Sequence, residues 1–151
     1  MLMRKDLRFM TYAIGGGLWV SGILWLILHY YMVRQTPFGA QPHPLEHWSL
    51  SLHGLFAFAT LWLFGLLWGR HITSGWKSGR RRLTGSLLFV TLLTLVISGY
   101  LLYYPPTEEA LAAIACVHWS IGIPFAIVFV AHRFWRQYSH RGQSAVSRVE
   151  R

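Results

Sequence analysis

Three features of this chain predict an all-α integral membrane protein, a bundle of four spanning helices with both termini cytoplasmic. Of its 151 residues, 54% are hydrophobic and only 13% charged, too little polar surface to cover a water-soluble domain of that length. Four apolar stretches, at about residues 9–32, 48–68, 83–104 and 110–134, each reach the length needed to cross a bilayer. Of the 14 lysines and arginines, all but Arg34 fall into three groups: Arg4, Lys5 and Arg8; Arg70, Lys77 and Arg80 to Arg82; and Arg133, Arg136, Arg141, Arg148 and Arg151. Four spans put these groups on one side, which the positive-inside rule makes the cytoplasm. The opposite side carries Arg34 against Glu46, Glu108 and Glu109. The pI near 10.5 therefore reflects topology and contact with anionic lipid, and not nucleic-acid binding.

Taken in order, the first stretch opens on basic residues like a signal peptide. It is too long for the apolar region of one, and Phe38-Gly39-Ala40 lacks the small residue a cleavage site needs, so a retained helix is expected. The outer loop, residues 33–47, holds Pro37, Pro42 and Pro44; it is expected to have no fold of its own and to lie as an ordered cap. The second span is followed by an inner loop over residues 71–82, with Gly75, Gly79 and an interfacial Trp76. After the third span, Pro106 stops the helix, Thr107 can cap the next, and Glu108 and Glu109 suit its positive end. Residues 137–151 form a polar, basic tail with no apolar face to dock, expected to be partly unstructured. The whole reads as a single membrane domain, 1–151. The lone Cys116 excludes an intramolecular disulfide and a cysteine-held iron–sulfur cluster from this chain alone.

The histidines carry the chemistry. His118 and His132 stand fourteen residues apart (132 − 118) within the fourth span, so they share a helix face about 21 Å apart along the axis. Ionisable groups at bilayer depth are costly and call for a reason. Imidazole is a common axial ligand of haem iron, and this separation suits one haem near each membrane surface. His53 enters the second span at a depth matching His118, which makes these two the outer ligand pair. His71 lies eighteen residues beyond His53 (71 − 53), five straight turns, and pairs with His132 as the inner ligands. Met10 on the first span is an alternative inner ligand. With no Cys-x-x-Cys-His, both haems would be of the non-covalent b type. The competing explanation is that these histidines only hydrogen-bond between helices, as in a membrane anchor or assembly subunit without haem.

Other residues read as support. Arg70, Arg133 and Arg136 suit haem propionates, although snorkelling to lipid explains them as well. Gly54, Gly99, Gly122 and Gly15 to Gly17 offer close backbone approach to a flat macrocycle, and Pro124, Phe125 and Phe129 lie between the two histidines of the fourth span. His29 sits in an aromatic belt, where it can also meet a quinone headgroup. His43 and His47 read as solvated, and His140 as inert. No Asp or Glu falls within any of the four apolar stretches, which disfavours an ion or metal transporter.

The pattern resembles the four-helix cytochrome b superfamily that includes the b-type subunits of formate dehydrogenases and nickel–iron hydrogenases. It looks closer still to small bacterial cytochrome-b561-like proteins, including flavinylation-associated cytochromes. The resemblance covers roughly residues 17–136 and rests on His118 with His132, His53-Gly54, and the run Gly99-Tyr100-Leu101-Leu102-Tyr103-Tyr104. It implies two stacked b haems held by His53, His118 and His132. It further implies an electron-transfer subunit of an oxidoreductase, in a bacterial inner membrane, working between quinone and an extracytoplasmic flavoprotein, cytochrome or iron–sulfur subunit. The chain departs from the formate dehydrogenase pattern at the inner haem: Phe9 to Tyr12 supply no histidine, and His71 takes that ligand's place.

Overall fold

A computed structural model describes residues 5–77 and 82–149, and the side chains of all these except Arg70 and residues 134–149. The chain is mostly helical and divides into two compact units, residues 1–74 and 75–151. Four helices are long and apolar enough to cross a membrane: α1 (Lys5–Tyr31), α2 (Pro44–Leu67), α4 (Arg82–Tyr103) and the Ala110–Arg133 portion of α5 (Ala110–Val149). This is the composition of a multi-pass membrane protein. Only five of the described residues are buried: Ser21, Leu28, Ser49, Leu63 and Ser98. Large apolar side chains such as Phe58, Leu83 and Ile127 stand exposed, as lipid-facing residues would.

The first unit is an antiparallel hairpin of α1 and α2. Gly17 packs on Phe56, Gly22 on His53, and His29 reaches Glu46, so the register is kept over most of the contact. Small residues make this closeness possible, as in membrane helix pairs generally. A methyl group on Gly17 would fall inside the Phe56 ring. Hydroxyls within the apolar helices bond back to carbonyls of their own helix, as Thr60 does to Phe56 and Thr94 to Val90, which keeps their protons away from lipid.

The loop over residues 33–47 has regular structure of its own, where an ordered cap without secondary structure is the sequence-based expectation. Strands β1 (Arg34–Thr36) and β2 (Gly39–Gln41) pair antiparallel, with Thr36 opposite Gly39. Pro37 presets the turn, and Gly39 adopts φ 102°, a conformation that costs glycine little. The Thr36 hydroxyl closes it by donating to the Gly39 carbonyl at 2.8 Å. His43 is not merely solvated: it caps α2, accepting from Leu45 N–H at 3.2 Å, with Pro44 in the first helical turn.

The segment after α2 begins as a continuation of that helix. A π-helical turn spans Trp68–Ile72, followed by the short α3 (Thr73–Lys77). The second unit is the antiparallel hairpin of α4 and α5. Thr107 caps α5 as expected, its Oγ1 accepting from Ala110 N–H at 3.3 Å. Glu109, beside that cap, has its carboxyl held below the usual range by its own backbone N–H and the Thr107 hydroxyl. The helix runs unbroken through Pro124. The helix continues from α5 into the basic tail as far as Val149; extending an existing helix avoids the cost of nucleating a new one.

Candidate functional site

Within the first unit, the half-buried His53 packs its imidazole against the backbone of α1. A Cβ placed on Gly22 would come within 2.9 Å of His53 Cε1 and 3.1 Å of Nδ1, so glycine is what admits the ring. His53 Nδ1 lies 3.0 Å from the Leu18 carbonyl and 3.3 Å from Ser21 Oγ. A carbonyl only accepts, so Nδ1 must carry the proton. The Ser21 hydroxyl donates to the same carbonyl at 3.0 Å, leaving its lone pairs to share the His53 N–H. In a neutral ring the lone pair then sits on Nε2, the nitrogen through which such a ring could bind a metal.

The second unit repeats this socket. His118 on α5 packs on Gly99 of α4, where an added Cβ would stand 3.4 Å from His118 Cε1. His118 Nδ1 lies 2.9 Å from Ser98 Oγ, and Ser98 donates its single proton to the Thr94 carbonyl at 2.7 Å. With its proton on that carbonyl, Ser98 accepts from His118, which again places the lone pair of a neutral ring on Nε2. The same two helices hold a third histidine: His132 Nδ1 lies 3.0 Å from Thr84 Oγ1. Thr84 and Ser98 are fourteen residues apart (98 − 84), as are His118 and His132 (132 − 118). Two antiparallel helices in constant register therefore present two hydroxyl–imidazole contacts about 21 Å apart. Pro124 lies between them without shifting that register.

Each contact uses a hydroxyl residue followed by glycine: Ser21-Gly22, Ser98-Gly99 and Thr84-Gly85. None of the three hydroxyls is prominent in the sequence, because serine in an apolar helix ordinarily bonds its own backbone. The signal lies in the repeated dipeptide and in the matching interval of fourteen. Two of these glycines receive an imidazole from the neighbouring helix; at Gly99 it stands where close approach of a macrocycle is the sequence-based expectation. Gly17 receives the Phe56 ring, Gly122 meets Leu95, and among the described residues nothing comes within 4 Å of where a Cβ on Gly15, Gly16 or Gly54 would stand.

His71 is exposed and lies inside the π-helical turn. Its alignment with His53 assumes five straight α-turns; a π turn adds backbone per turn and rotates the residues beyond it, so that premise does not hold. Met10 is half-buried in the second turn of α1. Arg133 follows His132 directly and is half-buried, whereas the side chains of Arg70, Arg136 and His140 lie outside the described residues. Among the described residues, no three His, Cys, Asp or Glu side chains converge.

At the other end of the first hairpin, His29 Nδ1 meets Glu46 Oε1 at 2.7 Å, and its ring stacks on Trp25 with centroids 4.6 Å apart. The Trp25 indole N–H is buried with no hydrogen-bond partner among the described residues. Glu46 has a side chain only 16% exposed and engaged by His29. No protein-family model, curated protein or solved structure matches this chain.

Proposed function

We propose that this protein is a dihaem b-type cytochrome, an electron-transfer subunit of a membrane oxidoreductase rather than an enzyme by itself. Electrons pass across a bacterial inner membrane between the quinone pool and an extracytoplasmic redox protein of flavin, cytochrome or iron–sulfur type. The observation that carries this reading is the twin socket: His53 and His118, on different hairpins, are both seated on glycine, and each sets Nδ1 against an acceptor of its partner helix, which leaves the lone pair of a neutral ring on Nε2. A ligating histidine is normally oriented by such a bond from its other nitrogen. His132, backed by Thr84 one interval further along α5, supports a second, inner site. Haem iron would supply the one-electron chemistry. The chain's residues would hold and orient: His53 with His118 outside, His132 with His71 inside, and Arg70 and Arg133 toward the propionates.

The same bonds also suit the rival reading, a haem-free anchor held together by interhelical histidine contacts. Absorption of the protein purified from membranes separates the two. A Soret band and a reduced α band from two haems per chain are expected, with one haem lost in His53→Ala or His118→Ala and the other in His132→Ala. A colourless protein that is folded and helical would overturn the reading.

A further inference from the structure

The three hydroxyls behind the imidazoles are placed to do more than join helices. An imidazole that donates its Nδ1–H to an acceptor gains electron density at Nε2 and becomes a more basic ligand. A more basic axial ligand favours the ferric over the ferrous state, and so lowers the reduction potential. Ser98 Oγ has two carbonyl acceptors on its own helix, Thr94 at 2.7 Å and Leu95 at 3.3 Å, and with its proton on either of them it accepts the N–H of His118, whose Nδ1 stands 2.9 Å away. At His53 the N–H faces two acceptors, the Leu18 carbonyl at 3.0 Å and Ser21 Oγ at 3.3 Å. At His132 a hydroxyl, Thr84 Oγ1, lies at 3.0 Å.

We infer that Ser98 and Thr84 are positioning residues that separately set the potentials of the two haem sites, Ser98 through His118 and Thr84 through His132. Ser21 plays a weaker part, because the Leu18 carbonyl would still receive the His53 N–H without it. The inference rests on the proposed ligand roles. It goes beyond them by assigning tuning to residues that touch no metal.

The test is a potentiometric titration of the purified protein, read by visible absorption, with low-spin ferric resonance spectra as a second signature. Ser98→Ala is expected to keep two haems and to raise one midpoint by about 59 mV, the one-electron equivalent of a tenfold change in relative ferric affinity. Thr84→Val is expected to raise the other midpoint and leave the first alone. Ser21→Ala should move the same midpoint as Ser98→Ala, by less. Ser98→Thr, which restores a hydroxyl, should return the wild-type value. If Ser98→Ala instead loses one haem while remaining helical, and Ser98→Thr regains it, the positioning role stands in stronger form. Unmoved midpoints in fully loaded Ser98→Ala and Thr84→Val proteins overturn the inference and leave the cytochrome reading intact. A wild-type protein with no haem overturns both.

Discussion

Gly22 and Gly99 occupy equivalent positions in the two hairpins, yet the structure assigns them opposite responses to the same substitution. A Cβ on Gly22 would stand 2.9 Å from His53 Cε1, well inside ordinary contact, whereas one on Gly99 would stand 3.4 Å from His118 Cε1. The difference is half an ångström (3.4 − 2.9), and it decides the sign. In Gly22→Ala the imidazole must move away, which strains the packing by about 1–3 kcal/mol. The move also weakens a half-buried hydrogen bond worth about 1 kcal/mol. Replacing a mid-helix glycine returns about 0.5–1 kcal/mol of backbone entropy, so the net loss is about 1–3 kcal/mol. In Gly99→Ala only the entropy gain applies, and the protein should be unchanged or slightly more stable. Thermal unfolding in detergent gives the stability, and the ratio of Soret to protein absorbance gives haem occupancy. Gly22→Ala should lower both; Gly99→Ala should lower neither. Equal behaviour of the two variants would refute the packing argument for His53, whatever the cofactor content.

Three further outcomes are expected from the geometry. If His71 is the inner ligand, His71→Ala should lose the haem that His132→Ala loses; full occupancy in that variant, with loss in Met10→Ala, would transfer the role to Met10. Glu46→Ala removes the acceptor of a partly exposed His29 pair, so the hairpin should lose only about 0.2–1 kcal/mol in thermal unfolding; a several-fold larger loss would mean that the pair is shielded from solvent. Thr107→Ala should cost about 1 kcal/mol through loss of the α5 cap. The Glu109 carboxyl is depressed in the fold, so its contribution is present above its unfolded pKa and fades as pH falls through the folded value. That acid-side loss should shrink in Thr107→Ala, and a pH profile identical to wild type would show that the cap does not hold the carboxyl.

The spans are legible in the sequence because hydropathy alone marks them. The expected third span, about 83–104, agrees with α4 at Arg82–Tyr103 within a residue, and the start of α5 at Ala110 is signalled by Thr107 and the two glutamates. The first helix starts earlier than hydropathy suggests, at Lys5, because charged residues outside the apolar region can still be helical. The hairpin in the outer loop is hidden by its prolines, which argue against strands in a sheet interior but not in an exposed two-stranded ribbon. The shared face of His118 and His132 is readable from period, and both do reach α4. Their hydroxyl partners are not, since neither serine nor threonine announces which helix it serves. The π turn around His71 leaves no mark in the pattern of side chains, because it is a shift in backbone hydrogen bonding.

That wide turn has a consequence for engineering the chain. Trp68–Ile72 accommodates one residue more than a regular coil would, and so works as an expansion joint between the membrane helix and the basic segment beyond it. Removing Gly69 would let the joint close into ordinary winding. Trp76 and Lys77 would then keep their present aim, because the deletion and the closure cancel, whereas one residue removed from a regular turn would swing that indole and cation about 100° around the axis.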